Sequence, residues 1–492
     1  MTKPNSPTSD VDRGHLNLIE RNRFLYMFAN VGGHVYILIT LPLLTSHLNP
    51  TEFGFYIILV QIITITQAVN LTLFSSTLLR FYYDYGEQER REFLGTIVTS
   101  FMSLQILFAF VLFILRHYWL KVLFPNITIE IDPYVLYAMV WMVLISLRGL
   151  ITTFIKVLER PALVWIQVLV YGALLVILLF VLVVNYNRGL LGALQSLVLA
   201  EFGTLLFLIK YLRGYAKISW NIQHIKKVLL FSSPLAASSL LFIVFGNVDR
   251  MVLSRHISLA DMGEYGIGFL VGNIAALMVT AHVSAYSPRM LSVLRTEGQV
   301  AASQIAGYFM RDSLALMGII VGGLTVLNDV IVYLVGNVMF HLSFVVLGIA
   351  SGHLMRSQFL FFRQAMFSKN HTIVILLFNF LLLFLGILVA NLLVRAIGMS
   401  GVAFMSMISH ALILPLAYLV TKSYFPIRIS ITASLCSLAL IGLLVFLEYS
   451  LDSFGRSFLS LEYWGLKFLE VLVVLILYGK YATTLVKKFI TQ

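Results

Sequence analysis

Two arginines lie where arginines are costly. Arg148 and Arg356 both fall inside long apolar runs, and a guanidinium in hydrocarbon persists only beside a partner or a cavity. The planar fork of a guanidinium grips phosphate oxygens in pairs, so these positions offer recognition of an anion rather than the making or breaking of bonds. On helices, Arg148, Thr152, Lys156 and Glu159 share one face, as do His353, Arg356 and Arg363. Two such basic stripes turned towards each other make a cationic cavity. The competing account has these cations reaching for the interface or pairing with Glu159, and it weighs most on Lys156 and Arg363, which lie near helix ends.

Other polar groups inside apolar runs extend the candidate set. Gln61, Thr64, Gln67 and Asn70 form a polar track that either lines the cavity, with Gln67 and Asn70 touching substrate, or bonds to neighbouring helices. Glu201 is a candidate proton or sodium carrier, set against a satisfied buried carboxyl. Asp249-Arg250 reads as a gate and ion-coupling pair or as a structural ion pair, the latter favoured. His34, His282 and His410 read as packing residues, while His353 gains weight from sharing a face with Arg356. Arg80 and Arg289 end two apolar runs as inner-mouth basic residues.

The elements that must hold these residues follow from composition. Of 492 residues, 60% are hydrophobic and 11% charged, which leaves a water-soluble fold too much apolar surface. Fourteen stretches reach the roughly 20 residues a helix needs to cross a bilayer: 24–45, 54–79, 93–115, 134–155, 162–184, 189–210, 229–253, 264–286, 312–335, 338–361, 371–393, 398–420, 429–447 and 463–482. The second half repeats the first at an offset of 209. His47, Glu52, Gly54 and Tyr56 meet His256, Asp261, Gly263 and Tyr265, and Arg80 meets Arg289. Carrying Arg148 forward gives Ser357, next to Arg356. Six spans separate the repeats, so both halves share one orientation about an axis along the membrane normal.

The expected fold is therefore an all-α polytopic membrane protein of fourteen transmembrane helices, two six-helix lobes in parallel pseudo-twofold repeat plus two extra C-terminal helices. Its parts are a polar tail (1–23) with no apolar signal segment, an N-lobe (24–210), a basic inter-lobe linker (211–228), a C-lobe (229–420), and helices 13–14 with the C-terminus (421–492). With the N-terminus inside, most of the 34 basic residues fall in inside segments, so both termini are expected in the cytoplasm. The net charge of +12 then reads as topology and as attraction to anionic lipids. It is spread over many loops, which argues against nucleic acid.

What is missing narrows the function. Extramembrane segments stay below roughly 25 residues, too short for a folded soluble domain. There is no phosphate-binding loop of the Walker type, no G-x-S-x-G elbow and no H-E-x-x-H helix. Cys436 stands alone, which offers neither disulfide nor metal cluster. The Asn126-Ile127-Thr128 sequon is a weak match in an outside loop. These features predict a transporter rather than an enzyme, without cofactor or metal. Gly32-Gly33, Pro42 and Pro234 mark bends in spans 1 and 7, as a gate or as passive kinks.

A set of motifs now resembles a known family. Leu41-Pro42-Leu43-Leu44-Thr45, the stretch Leu48–Tyr56 and Leu78-Leu79-Arg80-Phe81-Tyr82 look like the opening helices of Wzx-type polysaccharide flippases. Asn247-Val248-Asp249-Arg250-Met251-Val252-Leu253, Gly263-Glu264-Tyr265 and Tyr286-Ser287-Pro288-Arg289-Met290 resemble their second-lobe counterparts. The resemblance implies the multidrug/oligosaccharidyl-lipid/polysaccharide exporter superfamily and a polyprenyl-pyrophosphate-linked oligosaccharide moved across the cytoplasmic membrane by alternating access. The glycan would be O-antigen, capsule or exopolysaccharide. The implied partners are that glycan, membrane lipids, glycan polymerase and chain-length proteins, and H+ or Na+ for coupling. Arg148 and Arg356 lie outside these motifs. Rival readings are a peptidoglycan-precursor flippase, a multidrug exporter of the same superfamily and, further off, a membrane glycan polymerase or ligase.

Overall fold

The computed structural model describes residues 36, 39–123, 125, 130–212, 215, 217–336, 342–369, 371–454 and 461–490. Among them every regular element is a helix. In chain order they are α1 (39–47), α2 (Pro50–Phe81), α3 (Glu87–Ile114), α4 (Arg116–Leu123), α5 (Asp132–Val157), α6 (Pro161–Leu179), α7 (Gly189–Leu212), α8 (Ile222–Phe245), α9 (Val248–Leu253), α10 (Leu259–Gly272), α11 (Ile274–Thr296), α12 (Gln299–Gly336), α13 (Leu342–Ser368), α14 (Thr372–Ala396), α15 (Met399–Ala403), α16 (Met405–Lys422), α17 (Ile431–Phe454) and α18 (Leu461–Ile490).

Among the described residues, twelve helices are long and apolar enough to cross a membrane, which makes this a multi-pass membrane protein. The lipid-facing stripe is plain on α14, where Leu377, Phe380, Phe384, Leu388 and Leu392 are exposed at helical spacing. Fourteen spans were expected. Most of the first, 24–45, lies outside the described residues together with the tail 1–23, Gly32, Gly33, His34 and the Asn126 sequon. The last, α18, is long enough but carries Glu462, Lys467 and Glu470 within its first ten residues.

The 209-residue echo has a local physical meaning. Asn49 Oδ1 accepts from the Glu52 amide (2.8 Å) and Glu52 Oε2 accepts from the Asn49 amide (3.1 Å). At the equivalent place Ser258 Oγ accepts from the Asp261 amide (3.1 Å) and Asp261 Oδ2 from the Ser258 amide (3.3 Å). Both are capping boxes that occupy otherwise orphaned amides at a helix start. His47 Nδ1 lies 3.1 Å from the Leu43 carbonyl and His256 Nδ1 lies 3.0 Å from the Val252 carbonyl, again equivalent pairs. The repeated glycines let α2 and α10 touch backbone to backbone. A Cβ on Gly263 would stand 2.5 Å from the Pro50 carbonyl oxygen, and one on Gly54 would run into the carbonyl of Leu259.

The chain divides into two compact units. One comprises Met1–His47, Ile62–His117 and Glu130–Ser239, and the other Leu48–Gln61, Tyr118–Ile129 and Leu240–Gln492. In the first, Phe74, Leu78, Phe93, Ile97, Phe101, Leu150 and Phe154 form a buried cluster of α2, α3 and α5. The basic linker is shorter than the expected 211–228, because α8 already begins at Ile222. Its end is clasped by α3: Ser219 Oγ donates to the Glu92 carbonyl (2.6 Å), and Thr99 Oγ1 donates to the Ser219 carbonyl (2.8 Å). In the second unit, Val271, Val321, Leu347, Leu354, Leu440, Leu444 and Tyr478 share one core, so helices 13–14 are packed into this unit. Gly318 and Gly322 open the groove in α12 that receives Tyr478 and Val474 of α18.

Three local expectations change. Span 7 is continuous through Pro234 and breaks instead at Gly246-Asn247, which separates α8 from α9. One lost backbone bond at Pro234 is tolerable in a helix interior. Span 8 is interrupted at Asn273, between α10 and α11. Glu159 lies past the end of α5 with φ +53°, so it leaves the helical face that Arg148, Thr152 and Lys156 share.

Candidate functional site

In the first unit, Arg148 of α5 meets Glu201 of α7. Arg148 Nε donates to Glu201 Oε2 at 2.5 Å and Nη2 donates to Oε1 at 2.9 Å, a two-pronged ion pair. The guanidinium lies 4.4 Å from the centre of the Tyr171 ring on α6, and Tyr36 packs edge-on against that ring. Glu201 is wholly buried. Substrate contact was the favoured expectation for Arg148 and pairing with Glu159 the competing account; the structure pairs it with Glu201. A buried pair with matched forks neutralises both charges. Arg148 thus has its anion already, and Glu201 has its cation.

The second unit treats its arginine differently. Arg356 of α13 stacks on Phe242 of α8, its guanidinium carbon 4.6 Å from the ring centre, and Arg363 lies two turns further along α13 over the same ring at 5.4 Å. Neither forms a salt bridge among the described residues, and the buried Arg356 Nε has no hydrogen-bond partner there. Two like charges lie near one aromatic ring, and cation–π attraction compensates their repulsion only in part. His353, one turn from Arg356, points its Nε2 at Asn273 Oδ1 (3.0 Å), at the break between α10 and α11. His410 Nδ1 bonds the Ser406 carbonyl (2.8 Å) beside Phe245 and Phe359, a packing role. His282 likewise bonds the Phe309 carbonyl (3.1 Å).

Asp249 and Arg250 on α9 are both buried and 3.5 Å apart. Each has a stronger partner elsewhere. Tyr265 donates to Asp249 Oδ2 at 2.6 Å, while Arg250 Nη2 donates to the Gly246 carbonyl (2.7 Å) and its guanidinium lies 3.7 Å from the Phe269 ring centre. Gln61 donates to the Asn247 carbonyl (3.2 Å), which satisfies the broken end of span 7. These groups seal a helix break.

The polar track on α2 is spent between helices. Gln67 donates to the Ile145 carbonyl of α5 (3.2 Å), and Asn70 donates to Gln105 of α3 (2.5 Å). Asn70 is fully buried. Arg80 is exposed beside Asp84 (3.7 Å) and its own neighbour Phe81, and Arg289 is exposed on α11. The sequence reading gave little weight to Arg363 and none to a buried cluster of Glu448, Lys467 and Glu470. Its readable signal was Lys467 and Glu470 at i, i+3 inside an apolar run.

Residues 19–293 match the family described as polysaccharide biosynthesis protein. No curated protein matches the chain. Among solved structures, the lipid II flippase MurJ in an inward closed conformation superimposes with a TM-score of 0.71 at 14% identity, over 95% of this chain and 100% of that one. The Vibrio cholerae MATE transporter VcmN in its bent form gives 0.56 at 16% identity, covering 82% of this chain and 96% of that one. A MOP superfamily transporter from Pyrococcus furiosus, described as having a binding pocket of reversed polarity, gives 0.52 at 12% identity over 82% and 96%. The fold is the one these transporters share.

Proposed function

The chain belongs to the polysaccharide biosynthesis protein family, and from that premise we propose that it is a flippase for a polyprenyl-pyrophosphate-linked oligosaccharide destined for a surface polysaccharide. It works by alternating access in the cytoplasmic membrane, with both termini in the cytoplasm, and makes or breaks no covalent bond. The observation that carries this reading is the pair of uncompensated guanidiniums, Arg356 and Arg363, over Phe242. A diphosphate presents two adjacent anionic groups, and two neighbouring forks answer that pattern. Arg148 serves as a positioning residue locked to Glu201. A drug or organic-cation exporter would need a free buried carboxylate, whereas Glu201 is engaged by Arg148 and Asp249 by Tyr265.

The lipid II flippase MurJ is the second reading, favoured by the TM-score of 0.71; its substrate would present the same diphosphate. One experiment separates the two. Deletion of the gene should accumulate lipid-linked glycan repeat on the inner leaflet while peptidoglycan synthesis continues. Wild type should clear it and Arg356→Gln should not, at equal protein levels. Accumulation of peptidoglycan precursor would favour the second reading, and export intact in Arg356→Gln would remove the site.

A further inference from the structure

One end of the first unit brings together two arginines that no carboxylate answers. There α2 ends, α3 starts, α5 gives way to α6 and α8 begins. The turn Phe81-Tyr82-Tyr83-Asp84-Tyr85 joins α2 to α3. The Arg90 guanidinium stands 5.6 Å from the centre of the Tyr82 ring and 5.1 Å from that of Tyr83. Tyr83 in turn donates to the Val157 carbonyl at the end of α5 (2.7 Å). Phe154 packs edge-on against Tyr82 at 5.5 Å and against Tyr215 of the linker at 5.6 Å. The Tyr215 hydroxyl accepts from Arg160 Nη2 at 3.4 Å, and the Tyr82 hydroxyl is within electrostatic reach of both Arg90 and Tyr215. Two guanidiniums from different segments thus border one aromatic floor.

The other cations at this end are already matched. Arg80 faces Asp84 (3.7 Å), Arg91 faces Glu87 (3.0 Å) and Lys217 faces Glu92 (3.6 Å). Lys227 Nζ bonds the Tyr85 hydroxyl (2.9 Å) over the Phe81 ring. Among the described residues Arg90 and Arg160 form no salt bridge, and the remaining carboxylates, Glu89 and Glu159, are exposed and engage neither. Arg90 makes one long bond, to the Tyr83 carbonyl at 3.5 Å, and its buried Nε has no partner. A guanidinium has five donors, so most of both forks is unspent, and the Tyr215 hydroxyl, an acceptor from Arg160, keeps its own proton to give. In the second unit Lys369, the repeat equivalent of Arg160, is satisfied by Gln299 Oε1 at 2.7 Å. The position indicates which anion fits. Five apolar spans, Pro50–Asp84, Glu87–Ile114, Asp132–Val157, Pro161–Asn185 and Ile222–Phe245, each have an end here, at the level where lipid headgroups lie. Beside them Ile218, Trp220 and Ile222 are exposed, apolar and aromatic anchors suited to that boundary.

We propose that Arg90, Arg160 and Tyr215 form a binding site for the phosphate of an anionic lipid headgroup, which ties the linker to the ends of α2 and α5. The two forks take the phosphate oxygens, the Tyr215 hydroxyl donates a further bond, and the acyl chains continue along the apolar helix faces. The site rests on the membrane-spanning character of the chain and not on the flippase reading.

Native mass spectrometry of the full chain, released from detergent micelles after titration with phosphatidylglycerol or phosphatidylcholine, counts the lipid retained. One phosphatidylglycerol per chain should persist at concentrations that leave no phosphatidylcholine bound. Arg90→Gln and Arg160→Gln should each weaken that retention by about tenfold, the effect of losing one charge-assisted contact, with Arg160→Lys in between. Lys226→Gln removes an exposed lysine from the same end of the unit and should change retention by less than about twofold. Arg160 is itself exposed, so its variants keep the test decisive if Arg90→Gln fails to fold. Equal retention of the two lipids, or a loss in Lys226→Gln as large as in Arg160→Gln, would reduce the effect to general surface charge and overturn the site. Undiminished retention in Arg160→Gln would overturn it as well. Displacement of the lipid by an equimolar amount of inorganic phosphate would give the forks to a soluble anion and overturn the headgroup assignment.

Discussion

Gly54 and Gly263 occupy the same place in two copies of one motif, and each presses its bare Cα face against the backbone of the other's helix. Gly54 faces the carbonyl of Leu259 and Gly263 faces that of Pro50, itself the repeat equivalent of Leu259. A methyl group at either position meets backbone rather than a yielding side chain. Overpacking of this kind costs about 1–3 kcal/mol. Gly54→Ala and Gly263→Ala should therefore lower the thermal midpoint of the detergent-purified protein by similar amounts. The double variant should cost less than the sum, since the first change already parts the helices. Full additivity would mean that the two glycines do not share one contact.

Beside these glycines, the repeated acidic residues hold helix starts together. Losing a capping side chain costs roughly 1 kcal/mol. Ser258→Ala and Asn49→Ala should destabilise by that order, while Ser258→Asp should be nearly silent. Thermal midpoints of the purified variants check the ranking, and equal loss for Ala and Asp would contradict the capping role.

The sequence revealed the repeat and the helical class because hydropathy runs and a fixed offset are properties of the chain itself. The same offset led from Arg148 to the neighbour of Arg356. It did not reveal that their surroundings differ. Glu201 lies on a helix two elements away from Arg148, and the spacing rule that nominated Glu159 applies only along one helix. Gln67 and Asn70 were legible as polar track or cavity lining alike, since only the neighbouring carbonyl and amide decide which. The buried cluster escaped because Glu448 falls one residue past the expected end of span 13. Its partners Lys467 and Glu470 fell inside the expected last span, 463–482, where nothing in the sequence told that α12 packs against them.

Arg148 and Glu201 make a prediction that separates positioning from substrate contact. Glu201→Gln strands a buried guanidinium and should cost about 3–5 kcal/mol, and Arg148→Met should cost a similar amount by stranding the carboxylate. Replacing both, as Arg148→Met with Glu201→Leu, removes the problem and should restore the thermal midpoint to near wild type. Glycan export should return with it. A double variant that is stable but dead in export would place Arg148 on the substrate.

Phe242 makes the converse case. It touches both Arg356 and Arg363, at 4.6 and 5.4 Å, and such contacts contribute about 0.5–2 kcal/mol each when sheltered from water. Phe242→Leu keeps bulk and apolar character but leaves the two forks without a shared platform. Affinity for a soluble diphosphate analogue should fall by about tenfold, since each 1.4 kcal/mol is a factor of ten. Arg356→Lys keeps charge without the fork and should fall further than Phe242→Leu, and Arg356→Gln furthest of all. Calorimetric titration of the purified variants with pyrophosphate gives the order. If Arg356→Lys binds as wild type does, a point charge suffices and the paired-fork geometry is not what recognises the anion.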